Sequence, residues 1–86
     1  MSTPNFAHMV DPDGPVPLYE QVANDLQRQI EDGTLPPNRP VPSESTIQQT
    51  YGVARGTARK AIELLRERGL VTTVQGKGTY VLLRSE

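Results

Sequence analysis

Four prolines within eight residues divide the chain near its middle. Residues 35–42 read Leu-Pro-Pro-Asn-Arg-Pro-Val-Pro. This segment cannot be helical, because proline lacks the amide proton that a helix needs and its ring clashes with the preceding turn. We therefore predict an extended connection or an edge strand here. Any helix of this 86-residue chain must lie on one side of the segment, so the fold is limited to short elements around one small core.

A helical pattern precedes the prolines. Apolar side chains recur at every fourth residue of this stretch: Leu18, Val22, Leu26 and Ile30. They predict one apolar helix face, and we assign this first helix to the scaffold. Pro17 is typical of a helix start, and Gly33 of the residue after a helix end. Residues 1–16 lack such a pattern and contain three of the eight prolines, so we predict a disordered leader, which includes the one histidine, His8.

Two shorter helices are predicted after the prolines. Ser43 is a natural N-cap for the first of them, which runs from Glu44 to about Tyr51, with Glu44 favouring the positive end of the helix dipole. Gly52 ends it. The next helix runs from about residue 55 to residue 68, and its apolar positions form one stripe: Ala58, Ala61, Ile62 and Leu65.

The C-terminal part of the chain is typical of a β-hairpin. Two stretches rich in β-forming residues, 72–75 and 79–83, flank the turn Gly76-Lys77-Gly78. The predicted order is therefore helix, extended link, helix, turn, helix and hairpin. This is a mostly α fold with a small β-hairpin, a winged helix-turn-helix of three helices plus a wing. We place the domain at residues 17–83, followed by a C-terminal end at 84–86.

The charge of the chain is unevenly distributed. Residues 1–54 carry two basic and seven acidic residues, whereas residues 55–86 carry seven basic and three acidic ones, although the net charge is only −1. This asymmetry favours one basic face directed at a polyanion. The sequence has no cysteine and a single histidine, so we expect no metal site, no catalytic residues and no cofactor. No stretch is long and apolar enough to predict a membrane span, and we expect a cytoplasmic protein.

Four stretches resemble the DNA-binding domain of the GntR family of bacterial transcriptional regulators. They are Pro17-Leu-Tyr-Glu-Gln21, Val41-Pro-Ser-Glu44, Tyr51-Gly-Val-Ala-Arg-Gly-Thr-Ala-Arg59, and Gly69-Leu-Val followed by Gln75-Gly-Lys-Gly-Thr-Tyr-Val81. The first is similar to the openings of the HutC-like and YtrA-like branches. The resemblance extends from Pro17 to Leu83, and it implies a recognition helix in the major groove of DNA and a wing in the minor groove.

The resemblance also implies a set of DNA-contacting residues. In the family, contacts come from the start of the recognition helix and from the wing tip. The predicted set is Ser43, Ser45, Arg55, Gly56, Thr57, Arg59, Lys60, Gln75, Gly76 and Lys77. Arg59 is the expected base reader, because its planar fork can pair with guanine O6 and N7. Gly76 permits close backbone approach to the groove, and Lys77 can neutralise a phosphate.

Four residues depart from the family pattern. Ser45 stands where an arginine is usual, which removes one charge, and Gly56 replaces a threonine or serine. Ala54 replaces the usual capping residue, a loss on the order of 1 kcal/mol. Gln48 stands where the family prefers a small residue. We therefore expect modest affinity.

The leading functional hypothesis is sequence-specific binding of double-stranded DNA and transcriptional control, with repression the expected outcome. The expected target is a pseudo-palindromic operator. We expect no small-molecule effector site within this chain, and a monomer in solution of which two copies meet on DNA. Two alternatives are a winged-helix module that docks on proteins and a hybrid regulator with an aminotransferase-like C-terminal part. An enzyme is disfavoured because the sequence offers no catalytic constellation.

Overall fold

The computed structural model describes residues 10–82, and within them the helices and strands follow the predicted order. The elements are α1 (Leu18–Glu31), α2 (Glu44–Tyr51), α3 (Arg55–Glu67), β1 (Val71–Val74) and β2 (Gly78–Val81). The two strands are antiparallel, and Val71 pairs with Val81 at the base of the hairpin. The winged helix-turn-helix fold is thereby confirmed.

The turn between α2 and α3 follows from local chemistry. The Ser43 hydroxyl caps α2 by accepting a hydrogen bond from the Thr46 amide at 3.1 Å, as predicted. Gly52 ends the helix in the left-handed region, with φ of 67°, where a residue without Cβ meets no steric penalty. Ala54 offers α3 no side-chain cap, so α3 depends on its packing for stability.

The core lies where α1 and α3 cross and is closed by α2 and the base of the hairpin. The predicted stripe of α3 is buried, and Val53 fills the corner between α2 and α3. The largest fully buried side chains come from every element: Val22, Leu26, Ile47, Leu65, Val71 and Val81. Because α3 buries one face in this core, its opposite face is presented to solvent.

The proline-rich segment pairs with the hairpin. The amide of Asn38 donates to the carbonyl of Val81, and the amide of Val81 donates to the carbonyl of Arg39, both at 2.8 Å. The amide of Val41 donates to the carbonyl of Thr79 at 2.9 Å. The segment is therefore an extended connection beside β2, joined to it by an isolated bridge between Pro40 and Tyr80. This pairing ties the start of α2 to the wing.

Part of the predicted disordered leader is packed on the domain. Val10 is 9% exposed and belongs to the core. The Gln21 side chain of α1 donates to the backbone carbonyls of Asp11 and Val16, at 2.8 and 2.6 Å. Residues 10–16 are thus held against α1. Residues 1–9, with His8, and residues 83–86, with the predicted C-terminal end, lie outside the described residues.

A buried carboxylate joins α1 to α2. Asp25 is 4% exposed and accepts hydrogen bonds from the Tyr51 hydroxyl at 2.5 Å and from the Gln29 amide at 2.9 Å. Arg28 completes the cluster as an ion-pair partner of Asp25. Burial raises the pKa of Tyr51 well above its usual value, and the bond to the Asp25 carboxylate raises this pKa further.

Candidate nucleic-acid interface

The first turn and a half of α3 presents its polar side chains to solvent. Arg55, Gly56, Arg59 and Lys60 are exposed, and Thr57 is half-buried. The buried stripe on the other side of α3 fixes this orientation. An exposed helix face that begins with arginines and the free amides of a helix N-terminus suits an anionic partner.

Glu44 lies between the two arginines. Its Oε1 is 3.5 Å from Nε of Arg55, and its Oε2 is 3.7 Å from Nε of Arg59. The contacts engage the Nε side of each guanidinium, so they do not use the terminal Nη atoms. The side chains of Arg55 and Arg59 are 72% and 57% exposed. Glu44 thereby orients two guanidinium groups that still face solvent.

A groove of about 560 Å³ runs between the start of α2, the exposed side of α3 and the hairpin. Ser43, Arg59 and Lys77 line it, so the structure brings together predicted residues from three separate stretches. Arg66, which is not among the residues predicted to contact DNA, also lines the groove. The walls therefore carry three cations, from α3 and the wing.

The tip of the hairpin is a tight turn exposed to solvent. The amide of Lys77 donates to the carbonyl of Val74 at 2.9 Å and closes it. Gly76 has φ of 81°, a conformation that L side chains rarely adopt. Gln75, Gly76 and Lys77 are all exposed, so the predicted wing-tip residues form one projecting loop.

Other predicted site residues lie apart from this groove. Lys60 places its Nζ 4.9 Å from the centroid of the Tyr19 ring, which directs it toward α1. Ser45 and Gly56 are exposed but do not line the groove. Arg68, which is not a predicted site residue, also lies apart from the groove: its Nη1 donates to the side chains of Gln27 and Asn24 on α1 at 2.8 and 2.9 Å.

The described part of the chain offers little for other chemistry. Within residues 10–82 no three His, Cys, Asp or Glu side chains are grouped so that they could hold a metal ion. None of the helices in this range has the length and apolarity needed to span a membrane.

Comparison with known proteins points to one family. Residues 18–81 match the model of the bacterial regulatory proteins of the gntR family. The mannosyl-D-glycerate transport/metabolism system repressor MngR of Escherichia coli is 43% identical over 68 residues, which cover 79% of this chain and 28% of that protein. The histidine utilization repressor of Pseudomonas putida is 39% identical over 83 residues, covering 94% of this chain and 34% of that protein. The chain thus spans about a third of the length of these relatives.

A solved structure extends the likeness to the fold. The DNA-binding domain of AraR in complex with operator ORX1 superposes with a TM-score of 0.73 at 39% identity. The match covers 80% of this chain and 89% of that one.

Proposed function

This chain belongs to the GntR family of bacterial regulatory proteins, and we propose that it binds double-stranded DNA sequence-specifically to regulate transcription. The observation that carries the proposal is the groove where α3 arginines and the wing lysine face the same solvent region. In this proposal α3 enters the major groove and the wing tip enters the adjacent minor groove. The AraR domain, solved with an operator, supports this arrangement by its likeness to the chain.

Within this interface we distinguish residues that contact bases from residues that contact phosphates. Arg59 is the proposed base reader, because Glu44 orients it through Nε and its Nη atoms can form a bidentate contact with guanine. Arg55 and Thr57 at the helix N-terminus suit a base edge or a phosphate. Lys77 suits a phosphate beside the minor groove. Lys60 is a weaker candidate than the sequence suggested, since its cation lies over Tyr19.

For the whole protein we propose a repressor that acts in the cytoplasm on a pseudo-palindromic operator. Repression is supported by the names of the MngR and histidine utilization relatives. The family is one of regulators, not of enzymes. We also propose that this chain holds no effector site of its own, because a domain of this size devotes its apolar side chains to one core.

Binding to duplex DNA should weaken steeply as salt rises. Each phosphate neutralised contributes about −0.9 to the slope of log K against log salt, so Arg55 and Lys77 as phosphate contacts together predict a slope near −1.8. Fluorescence anisotropy across a KCl series measures it. Arg68→Gln is the matched control, because Arg68 contacts α1 on another side of the domain, and its slope should equal that of the unaltered protein. Affinity independent of salt would contradict DNA binding through this face.

The isolated 86-residue chain should be a monomer without DNA. The described helices direct their apolar faces into the one core, and only Val16 and Val74 are large exposed apolar side chains among residues 10–82. Two copies should occupy a palindromic site, held mainly by DNA, because neither raises the effective concentration of the other. Light scattering of the free protein, followed by titration onto one and two half-sites, tests this. A stable dimer in the absence of DNA would contradict it.

A further inference from the structure

One arginine links the recognition helix to both strands of the wing. Nη2 of Arg66, in the last turn of α3, donates to Oγ1 of Thr73 on β1 at 2.8 Å. Thr73 pairs with Thr79 across the hairpin, and their hydroxyl oxygens are 3.3 Å apart. The chain of hydrogen bonds therefore runs from α3 through β1 to β2.

The contact lies where the hairpin has left the core. Val71 and Val81 are buried at the base, whereas Thr73 and Val74 further along β1 are exposed. A two-stranded hairpin is marginally stable without a hydrophobic face to pack on, so its outer half is free to change its angle to α3 unless something ties it down. The bridge between Pro40 and Tyr80 supports the outer side of β2. Among the described residues, β1 has no backbone segment paired to its outer side, which faces α3.

The bond also leaves the positive charge of Arg66 in place. A hydroxyl is a neutral acceptor, so the guanidinium still contributes to the potential of the groove that Arg59 and Lys77 share. Complementing the helix dipole would not require this hydroxyl, because that role is met by a cation anywhere in the last turn. The hydrogen bond to Thr73 on β1 indicates instead that Arg66 positions the wing relative to α3.

We propose that Arg66 is a positioning residue that sets the angle between α3 and the wing, so that both reach DNA at the same time. The proposal rests on the proposed function. Fixing the angle in advance lowers the cost of ordering the wing on binding.

Thr73→Val tests the tether without changing any charge. Valine keeps the shape and the β-propensity of threonine but cannot accept the bond. We expect affinity for a specific duplex to fall about fivefold, with the salt slope unchanged, as for loss of one exposed charge-assisted hydrogen bond. The matched control is Thr72→Val, since neighbouring side chains of a strand point to opposite faces, and it should bind like the unaltered protein. Thermal unfolding of both variants confirms that each is folded.

A double-mutant cycle separates positioning from a merely structural effect. If the tether presents Lys77 correctly, Lys77→Ala should cost less in the Thr73→Val background than alone, whereas Arg59→Ala should cost the same in both. Additive losses for Thr73 and Lys77 would overturn the proposal. The proposal would also be overturned if Arg66→Gln reduced the salt slope while Thr73→Val left affinity unchanged. Arg66 would then contact a phosphate itself.

The tether is also measurable without DNA. Backbone order parameters of Gln75–Lys77 should fall in free Thr73→Val and stay unchanged in Thr72→Val. Unchanged values in Thr73→Val would overturn the tether even if the protein binds DNA. Conversely, the order parameters could fall in Thr73→Val while the unaltered protein binds no duplex. The tether would then stand and the proposed function would be wrong.

Discussion

Replacing Arg59 by alanine should cost about 1–3 kcal/mol of binding free energy on the preferred operator and relax discrimination at one base pair. Arg59 lies in the second turn of α3, on the wall of the groove, and is 57% exposed. Its fork can form two hydrogen bonds with one guanine, and alanine leaves both acceptors without a partner. Selection of bound sites from a random pool identifies the operator, and anisotropy titrations on single-base variants then measure discrimination.

Lys77→Ala provides the comparison. Lys77 lies on the wing and offers one flexible cation, so its loss should weaken specific and random duplexes by the same factor and leave base preference unchanged. The assignment of Arg59 would be wrong if Arg59→Ala behaved in the same way. A preserved site preference with uniformly lower affinity would make Arg59 a phosphate anchor.

Glu44 places a carboxylate on the surface that we propose to contact DNA. It opposes the phosphates by its charge, yet it contacts both Arg55 and Arg59 through Nε and restricts their rotamers. A restricted arginine loses less entropy on pairing with a base, whereas general attraction to phosphates is reduced. The arrangement favours discrimination over nonspecific affinity.

Helix limits, helix caps and buried helix faces could be predicted from the sequence, because they follow from residues close together along the chain. The limits of α2, its Ser43 cap and its Gly52 end follow from residues within one turn of each other. The stripe from Ala58 to Leu65 follows from helical period alone, and its burial is confirmed. Local rules suffice here because each feature depends on neighbours along the chain.

Contacts that depend on how the helices pack against one another could not be predicted from the sequence. The sequence suggested Glu44 only as a helix-dipole partner, because its distance from Arg55 depends on how α2 meets α3. Lys60 shares the polar side of α3 with Arg59, yet only the position of Tyr19 on α1 shows that it turns away. Val10 lies outside any periodic pattern, yet it is buried in the core beside the backbone that Gln21 contacts before α1.

The buried Asp25 is the clearest case of a residue whose role appears only in the fold. It occurs on α1 among polar neighbours, and in the structure it accepts bonds from Tyr51 of α2 and Gln29 of its own helix. A buried carboxylate is tolerated only when such donors surround it. The cluster therefore ties the C-terminal end of α2 to α1 through Tyr51.

Tyr51→Phe should lower the free energy of unfolding by about 1–3 kcal/mol at neutral pH, since it leaves a buried carboxylate oxygen with one donor fewer. It should also remove a pH dependence. Burial and the bond to Asp25 raise the pKa of Tyr51 in the folded protein, whereas in the unfolded chain it ionises near pH 10. The stabilisation is complete below about pH 10. Above that pH the unfolded chain releases a proton that the folded one keeps, so stability should fall by about 1.4 kcal/mol per pH unit.

Urea unfolding between about pH 7 and pH 11.5 measures this effect. The result is the difference in slope between the unaltered protein and Tyr51→Phe. Tyr80→Phe is the matched control, because it removes a phenol that does not contact Asp25, and it should keep the slope of the unaltered protein. Equal alkaline slopes in all three proteins would show that Asp25 does not hold α2 through the Tyr51 hydroxyl. The position of α2 would then depend on apolar packing, including that of Ile47 and Val53, and on the pairing of the proline-rich segment with β2.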